Sequence, residues 1–200
     1  MEIKAICFDL DGVYFTPESF QRFKKAISKG VDDEIVNNVL YKSNMMLSFK
    51  KGEISENEYW DFVRSELKIN FENEQIFEIL KDSYEVNPKI VELVRTVREK
   101  GYKTCICSNN FETRIRELNK KFDFLKDFEV HIFSYKIGVM KPDKKIYEAL
   151  IRESHVNADQ IVYSDDSSEK LVGANELGIH TFVFESVEGF VNKLRGFNIL

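Results

Sequence analysis

Residues 7–15 read CFDLDGVYF, and the fold turns on how this stretch is understood. A short apolar run, KAICF (4–8), ends in Asp9 and Asp11, two residues apart, with Gly12 directly behind them. Short, partly β-branched runs of this kind are strands buried on both faces, and a buried strand ordinarily hides its whole length. One that finishes in two carboxylates instead delivers acid to the edge of a sheet.

Four more runs have the same character: KTCIC (103–107), EVHIF (129–133), QIVYS (160–164) and HTFVF (180–184). Helical patterns separate them. Asn87-Pro88 supplies a cap and a first-turn proline ahead of IVELVRTV, and Lys100-Gly101 closes that helix. Further helices are expected over 111–120, 143–153, 168–177 and 187–194. Strands alternating with helices define an α/β chain, here a Rossmann-like parallel sheet flanked by helices.

The interval between the first two strands is too long for one crossover. Residues 16–86 contain almost no strand signal and about four helical segments. Thr16-Pro17-Glu18 starts the first, with Phe20, Phe23 and Ile27 along one face. Ile35, Val36, Val39 and Leu40 mark a second. Ser55 and Glu58 form a capping box ahead of Trp60, Val63 and Leu67, and Ile76, Phe77 and Leu80 suggest a fourth. The expected organisation is a core of residues 1–15 and 87–200 with a helical cap, 16–86, inserted after the acidic strand end. Ligands of open α/β sheets sit beyond the carboxyl ends of the strands, so this cap stands over that edge.

Bulk properties narrow the function. The chain has 200 residues, 43% of them hydrophobic, enough for one large core. A net charge of −5 gives no general surface for nucleic acid or anionic membrane. No N-terminal apolar run reaches signal or membrane length, and Cys7, Cys105 and Cys107 lack the spacing of a disulfide framework, so a cytoplasmic location is expected. Oligomeric state leaves no mark on the sequence.

Three strands end in polar groups: Asp9 and Asp11, then Ser108-Asn109-Asn110, then Asp165-Asp166-Ser167. Lys141-Pro142 lies between the last two. In a parallel sheet these ends share one edge. Carboxylates collected there repel unless a cation joins them. His131, His155 and His180 fall on separate elements, so the donor set is oxygen alone, which selects a hard ion such as Mg²⁺. An ion of that kind with Lys141 suits the oxygens of a phosphoryl group in transfer.

FDLDG (8–12), CSNN (107–110), KP (141–142) and VYSDDS (162–167) resemble, in order, the four motifs of the haloacid dehalogenase-like superfamily. The resemblance spans essentially the whole chain. The insertion resembles the small helical cap of the subfamily that holds many sugar-phosphate and nucleotide phosphatases. The wording is similar to phosphatases of the glucose-1-phosphate type and to the phosphatase domain of soluble epoxide hydrolase. This implies a Mg²⁺-dependent phosphatase acting on a small phosphorylated metabolite. Asp9 would be the nucleophile and Asp11 the general acid and base. Ser108, the Asn109 N–H and Lys141 would hold the phosphoryl group. Asp9, the Asp11 carbonyl and Asp166 would hold the metal, with Asp165 in support. Asp11 argues against a dehalogenase, which has no phosphate leaving group to protonate. The motifs suit a phosphomutase equally, but no cap residues that trap a phosphorylated intermediate are recognisable. A non-catalytic descendant that binds a phosphometabolite or a protein is the other alternative. One departure stands out: many relatives read DD-S-x-x-N after the paired acids, and this chain places Lys170 at the asparagine position. Glu169 stands beside it as a further oxygen donor.

Overall fold

The computed structural model describes residues 2–200. Its five strands are β1 Ala5–Phe8, β2 Lys103–Ser108, β3 Val130–Phe133, β4 Ile161–Asp165 and β5 His180–Val183. Each falls on an apolar run read from the sequence, to within one residue. They form one parallel sheet in the order β3-β2-β1-β4-β5. The winding reverses at β1, and a sheet wound this way opens a crevice beyond the strand ends at the reversal. Ile6 lies opposite Val162 and Phe8 opposite Ser164, so Asp9 and Asp165 leave the sheet side by side.

Five helices occupy the insertion: α1 Glu18–Ile27, α2 Asp33–Asn37, α3 Asn44–Lys50, α4 Glu56–Leu67 and α5 Asn73–Ser83. Six follow: α6 Pro88–Glu99, α7 Glu112–Phe122, α8 Ser134–Ile137, α9 Lys144–Ser154, α10 Val172–Glu176 and α11 Val187–Gly196. Alternate residues of β1 serve two cores. Ile6 and Phe8 join α6, α7 and α11 in an apolar cluster that runs on into the insertion. Ala5 and Cys7 join Cys105, Cys107 and Tyr163 beneath α9 and α10.

Two helix readings need correction. The second segment of the insertion is helical where it was read, but only its first half, α2, is α-helix. It leaves α2 through a π-helical turn, Asn38–Lys42, and stops at Ser43, whose ψ of 149° breaks the spiral. The Ser43 hydroxyl then accepts the Met46 N–H and starts α3. Ile35, on α2, is exposed and does not share the buried face with Val36, Val39 and Leu40. The stretch 168–177 begins as a tighter 3-10 turn, Glu169–Leu171, before α10, a common device at a helix terminus.

The insertion and core are bound by aromatic packing and by paired linkers. Phe111, just before α7, stacks on Phe49 of α3 with centroids 4.8 Å apart, and Phe49 stacks on Tyr59 of α4 at 4.5 Å. The Thr16 N–H donates to Glu85 O at 3.0 Å, and the Asn87 N–H donates to Tyr14 O at 2.7 Å. Phe15 and Val86 form an antiparallel bridge between them.

Candidate active site

Asp9 is 2% exposed at the end of β1. Its Oδ1 accepts the Leu10 N–H at 2.8 Å and faces the Lys141 ammonium at 3.0 Å, which fixes the plane of the carboxylate. Burial pushes the Asp9 carboxyl up to about 6, against the pull of Lys141. Lys141 is itself buried. It donates to Asp165 Oδ2 at 2.5 Å, to Cys107 O at 3.0 Å and to the Tyr163 hydroxyl at 2.8 Å. Burial works against its charge, but Asp9 and Asp165 outweigh that and hold it above the ordinary lysine value. Asp165 also meets burial first, yet Lys141 and Lys170 hold it well below the carboxylate range. Lys141 is therefore a fixed positive charge beside Asp9, and Asp165 is the group that aims it.

Asn109 anchors the same lysine from the other side. Its side chain accepts the Lys141 N–H at 2.7 Å and donates to Lys141 O at 3.1 Å. Ser108, 1% exposed at the end of β2, turns toward the cavity beside it.

Asp9, Asp165 and Asp166 bring one carboxylate oxygen each to within 4.8 Å of one another. An all-oxygen cluster of this size fits a small hard cation. Gly12 makes room for it. Its φ is +77°, and a Cβ there would stand 2.6 Å from Asp166 Oδ2. The chain bends behind Asp11, and the bend needs glycine on both counts. Glu169 is exposed and lies outside the cluster, so the suggestion that it adds an oxygen donor does not hold. Lys170 enters instead, with Nζ 3.0 Å from Asp166, 3.3 Å from Asp165 and 3.6 Å from Asp9.

Asp11 parts from the other acids. Its Oδ2 accepts from Arg114 Nη2 at 2.5 Å. Arg114 is 3% exposed, and its remaining nitrogens donate to Asn110 Oδ1 at 2.6 Å and to the Tyr84 hydroxyl at 2.8 Å. The guanidinium lies over the Phe111 ring, 5.0 Å from its centroid. Sequence reading missed Arg114. The signal was there: it sits four residues before Leu118 on the buried face of α7, where a charge has to have a partner. Tyr163, the hydroxyl on Lys141, carried no comparable mark.

These groups open into a cavity of about 340 Å³ between the sheet edge and the insertion. Among the polar and aromatic residues that the insertion could turn inward (Lys42, Asn44, Lys50, Lys51, Tyr59 and Trp60), Lys50 lines it. Tyr59 and Trp60 pack into the core, Lys51 pairs with Glu53 at 3.2 Å, and Lys42 and Asn44 border another depression.

Residues 3–178 match the family of haloacid dehalogenase-like hydrolases, and the chain belongs to it. Among curated proteins it is 25% identical to bifunctional epoxide hydrolase 2 of Sus scrofa, aligned over 97% of this chain and 38% of that protein. It is 23% identical to the phosphorylated carbohydrates phosphatase of Thermotoga maritima, over 96% of this chain and 87% of the relative. A HAD-family enzyme of Bacteroides thetaiotaomicron, solved in complex with magnesium and inorganic phosphate, shares the fold with a TM-score of 0.74 at 23% identity. That match covers 90% of this chain and 93% of the other. Among the described residues no helix is long and apolar enough to cross a membrane.

Proposed function

We propose that this hydrolase is a Mg²⁺-dependent phosphatase that cleaves small phosphomonoesters through an aspartyl-phosphate on Asp9. The observation that carries the reading is Asp9 itself. It is a buried carboxylate, locked in plane by a backbone N–H and a fixed ammonium, at the floor of a cavity with a hard-cation donor set beside it. The phosphatase relative and the magnesium and phosphate complex of the structural neighbour support it.

Asp9 attacks phosphorus and the bond to the leaving oxygen breaks. Asp11 gives that oxygen a proton. Because Asp11 Oδ2 is taken up by Arg114, the proton is carried on Oδ1. In the second half, Asp11 accepts a proton from water as the water attacks phosphorus, and Asp9 is released with inorganic phosphate. Ser108, the Asn109 N–H and Lys141 hold the phosphoryl oxygens. Asp9, Asp166 and the Asp11 carbonyl would hold Mg²⁺, which when bound neutralises charge developing on those oxygens. Residues 16–86 act as the cap that shuts water out. A cytoplasmic location suits the free thiols of Cys7, Cys105 and Cys107.

Release of phosphate from sugar phosphates, nucleotides, polyol phosphates and acyl phosphates tests the reading. Turnover is expected with Mg²⁺, lost after EDTA treatment and regained on adding the ion back. Full activity after verified metal removal would overturn the metal assignment. Transfer of phosphate to a second substrate position, without net release, would make the chain a mutase.

A further inference from the structure

Three cations line the cavity: Lys50, Arg114 and Lys170. Arg114 is paired with Asp11, and Lys170 with the carboxylate cluster. Among the described residues the Lys50 ammonium has no hydrogen bond and no ion pair, only the face of Tyr41 5.0 Å away. Its position is not casual. The Ser134 hydroxyl donates to Lys50 O at 2.6 Å and accepts the Asn110 N–H at 2.9 Å. Two residues on, Gly52 packs so closely that a Cβ there would stand 2.5 Å from Tyr135 O. The end of α3 is thus clamped to the same core segment that supports the phosphate-binding loop. Burial and the nearby Arg114 lower Lys50 to about 8, the mark of a charge short of a counter-ion.

Away from the acids the wall is mostly apolar: Phe20, Leu40, Met46, Leu47 and Met140, with Gln21 as a neutral polar group. A leaving group rich in hydroxyls would find few partners here. We propose that Lys50 binds a second anionic group on the leaving group. The favoured substrates are then phosphomonoesters whose alcohol is compact, largely apolar and carries a carboxylate or a second phosphate. This rests on the phosphomonoesterase reading.

The test compares phenyl phosphate, 4-carboxyphenyl phosphate and 1,4-phenylene bisphosphate with Mg²⁺. It adds calorimetric binding of benzylphosphonate and 4-carboxybenzylphosphonate, which needs no turnover. A charge-assisted contact predicts kcat/KM about 10- to 100-fold higher for an anionic ester, and a matching binding preference. Whichever ester leads identifies the anion. Lys50→Met should collapse both ratios toward one, and Lys50→Arg should keep most of them. Ratios near one in the wild type, or ratios unchanged in Lys50→Met, overturn the proposal. A binding preference that Lys50→Met abolishes, without hydrolysis of any ester, upholds Lys50 and overturns the phosphatase reading. Neither binding nor hydrolysis overturns both.

A separate observation concerns the carboxylate cluster. Lys170 lies within 3.6 Å of all three acids that form it. A Mg²⁺ held by Asp9 and Asp166 makes bonds of about 2.0–2.1 Å, so it and the ammonium would crowd the same oxygens. We infer that Lys170 is a built-in competitor of the metal, which has to swing outward before the ion binds. Its side chain is 27% exposed and starts from a short turn, which leaves it that freedom. Calorimetric titration of Mg²⁺ without substrate should show affinity about tenfold tighter in Lys170→Met, which removes the charge without adding an oxygen. In EDTA the variant should melt below the wild type, and its gain in Tm on adding Mg²⁺ should be the larger. Lys170→Asn should follow the same pattern. Equal or weaker Mg²⁺ binding in both variants, with equal Tm gains, overturns the inference.

Discussion

Asp9→Asn is expected to abolish phosphoenzyme formation with every substrate and to lower kcat by at least about 10⁴-fold, the scale on which loss of a covalent nucleophile is felt. The amide conserves shape and still accepts from the Leu10 N–H, but it has no anionic oxygen to attack with. The fold should tolerate the change. Lys141 keeps Asp165, Cys107 O and the Tyr163 hydroxyl as partners, and burial already disfavours the charge on Asp9. Intact mass after rapid quench is the measurement. An 80-Da adduct, roughly that of one phosphoryl group, should appear in the wild type and not in the variant. Wild-type turnover with no adduct at any quench time, and an Asp9→Asn enzyme that still turns over, would point to direct attack by water.

Asp11→Asn should behave differently, because it removes a proton donor and leaves the nucleophile intact. The loss should depend on the leaving group. For a sugar or alkyl phosphate, whose alkoxide leaves poorly, kcat/KM should fall by about 10²–10⁴-fold, the usual range for general acid–base catalysis. For p-nitrophenyl or acyl phosphate the loss should be far smaller. On the proposed mechanism Asp11 also serves as base in hydrolysis of the phosphoenzyme, so the adduct should accumulate in this variant. Asparagine can still accept from Arg114, which keeps that buried guanidinium partnered. A plot of log kcat/KM against leaving-group pKa should steepen relative to the wild type. Parallel plots would remove Asp11 from the proton transfer.

The sequence was most legible where an apolar run meets polar residues at a strand end. β1, β2 and β4 were readable because buried strands need unbroken apolar runs, and the polar residues at their tips, acids on β1 and β4 and Ser108-Asn109 on β2, interrupt those runs. Parallel strands then place Asp9, Ser108 and Asp165 on one edge without any knowledge of contacts. Reading was weaker where a side chain's role depends on its partner. Arg114 is one of many arginines by composition, and only the geometry of α7 sets it against Asp11. α3, Asn44–Lys50, was not among the helices that hydrophobic spacing gave, although Ser43 caps it. Lys50 and Lys51 are neighbours with identical chemistry, yet one lines the cavity and the other pairs with Glu53. Lys170 was visible as a departure, but its place among three carboxylates was not.

The paired linkers between core and cap carry a mechanical consequence. Tyr14–Thr16 runs out beside Glu85–Asn87 coming back, and Arg22 braces the pair by donating to Ser83 O at 2.9 Å and meeting Glu85 at 3.1 Å. A single tether would leave the cap free to swivel and slide. Two cross-linked strands behave as the leaf of a hinge, which flexes about one axis and resists shear. Asp11 lies just before this leaf, on the loop that feeds it. The outgoing linker continues directly from the loop that carries Asp11, so the seating of the cap and the placement of that acid share one stretch of backbone.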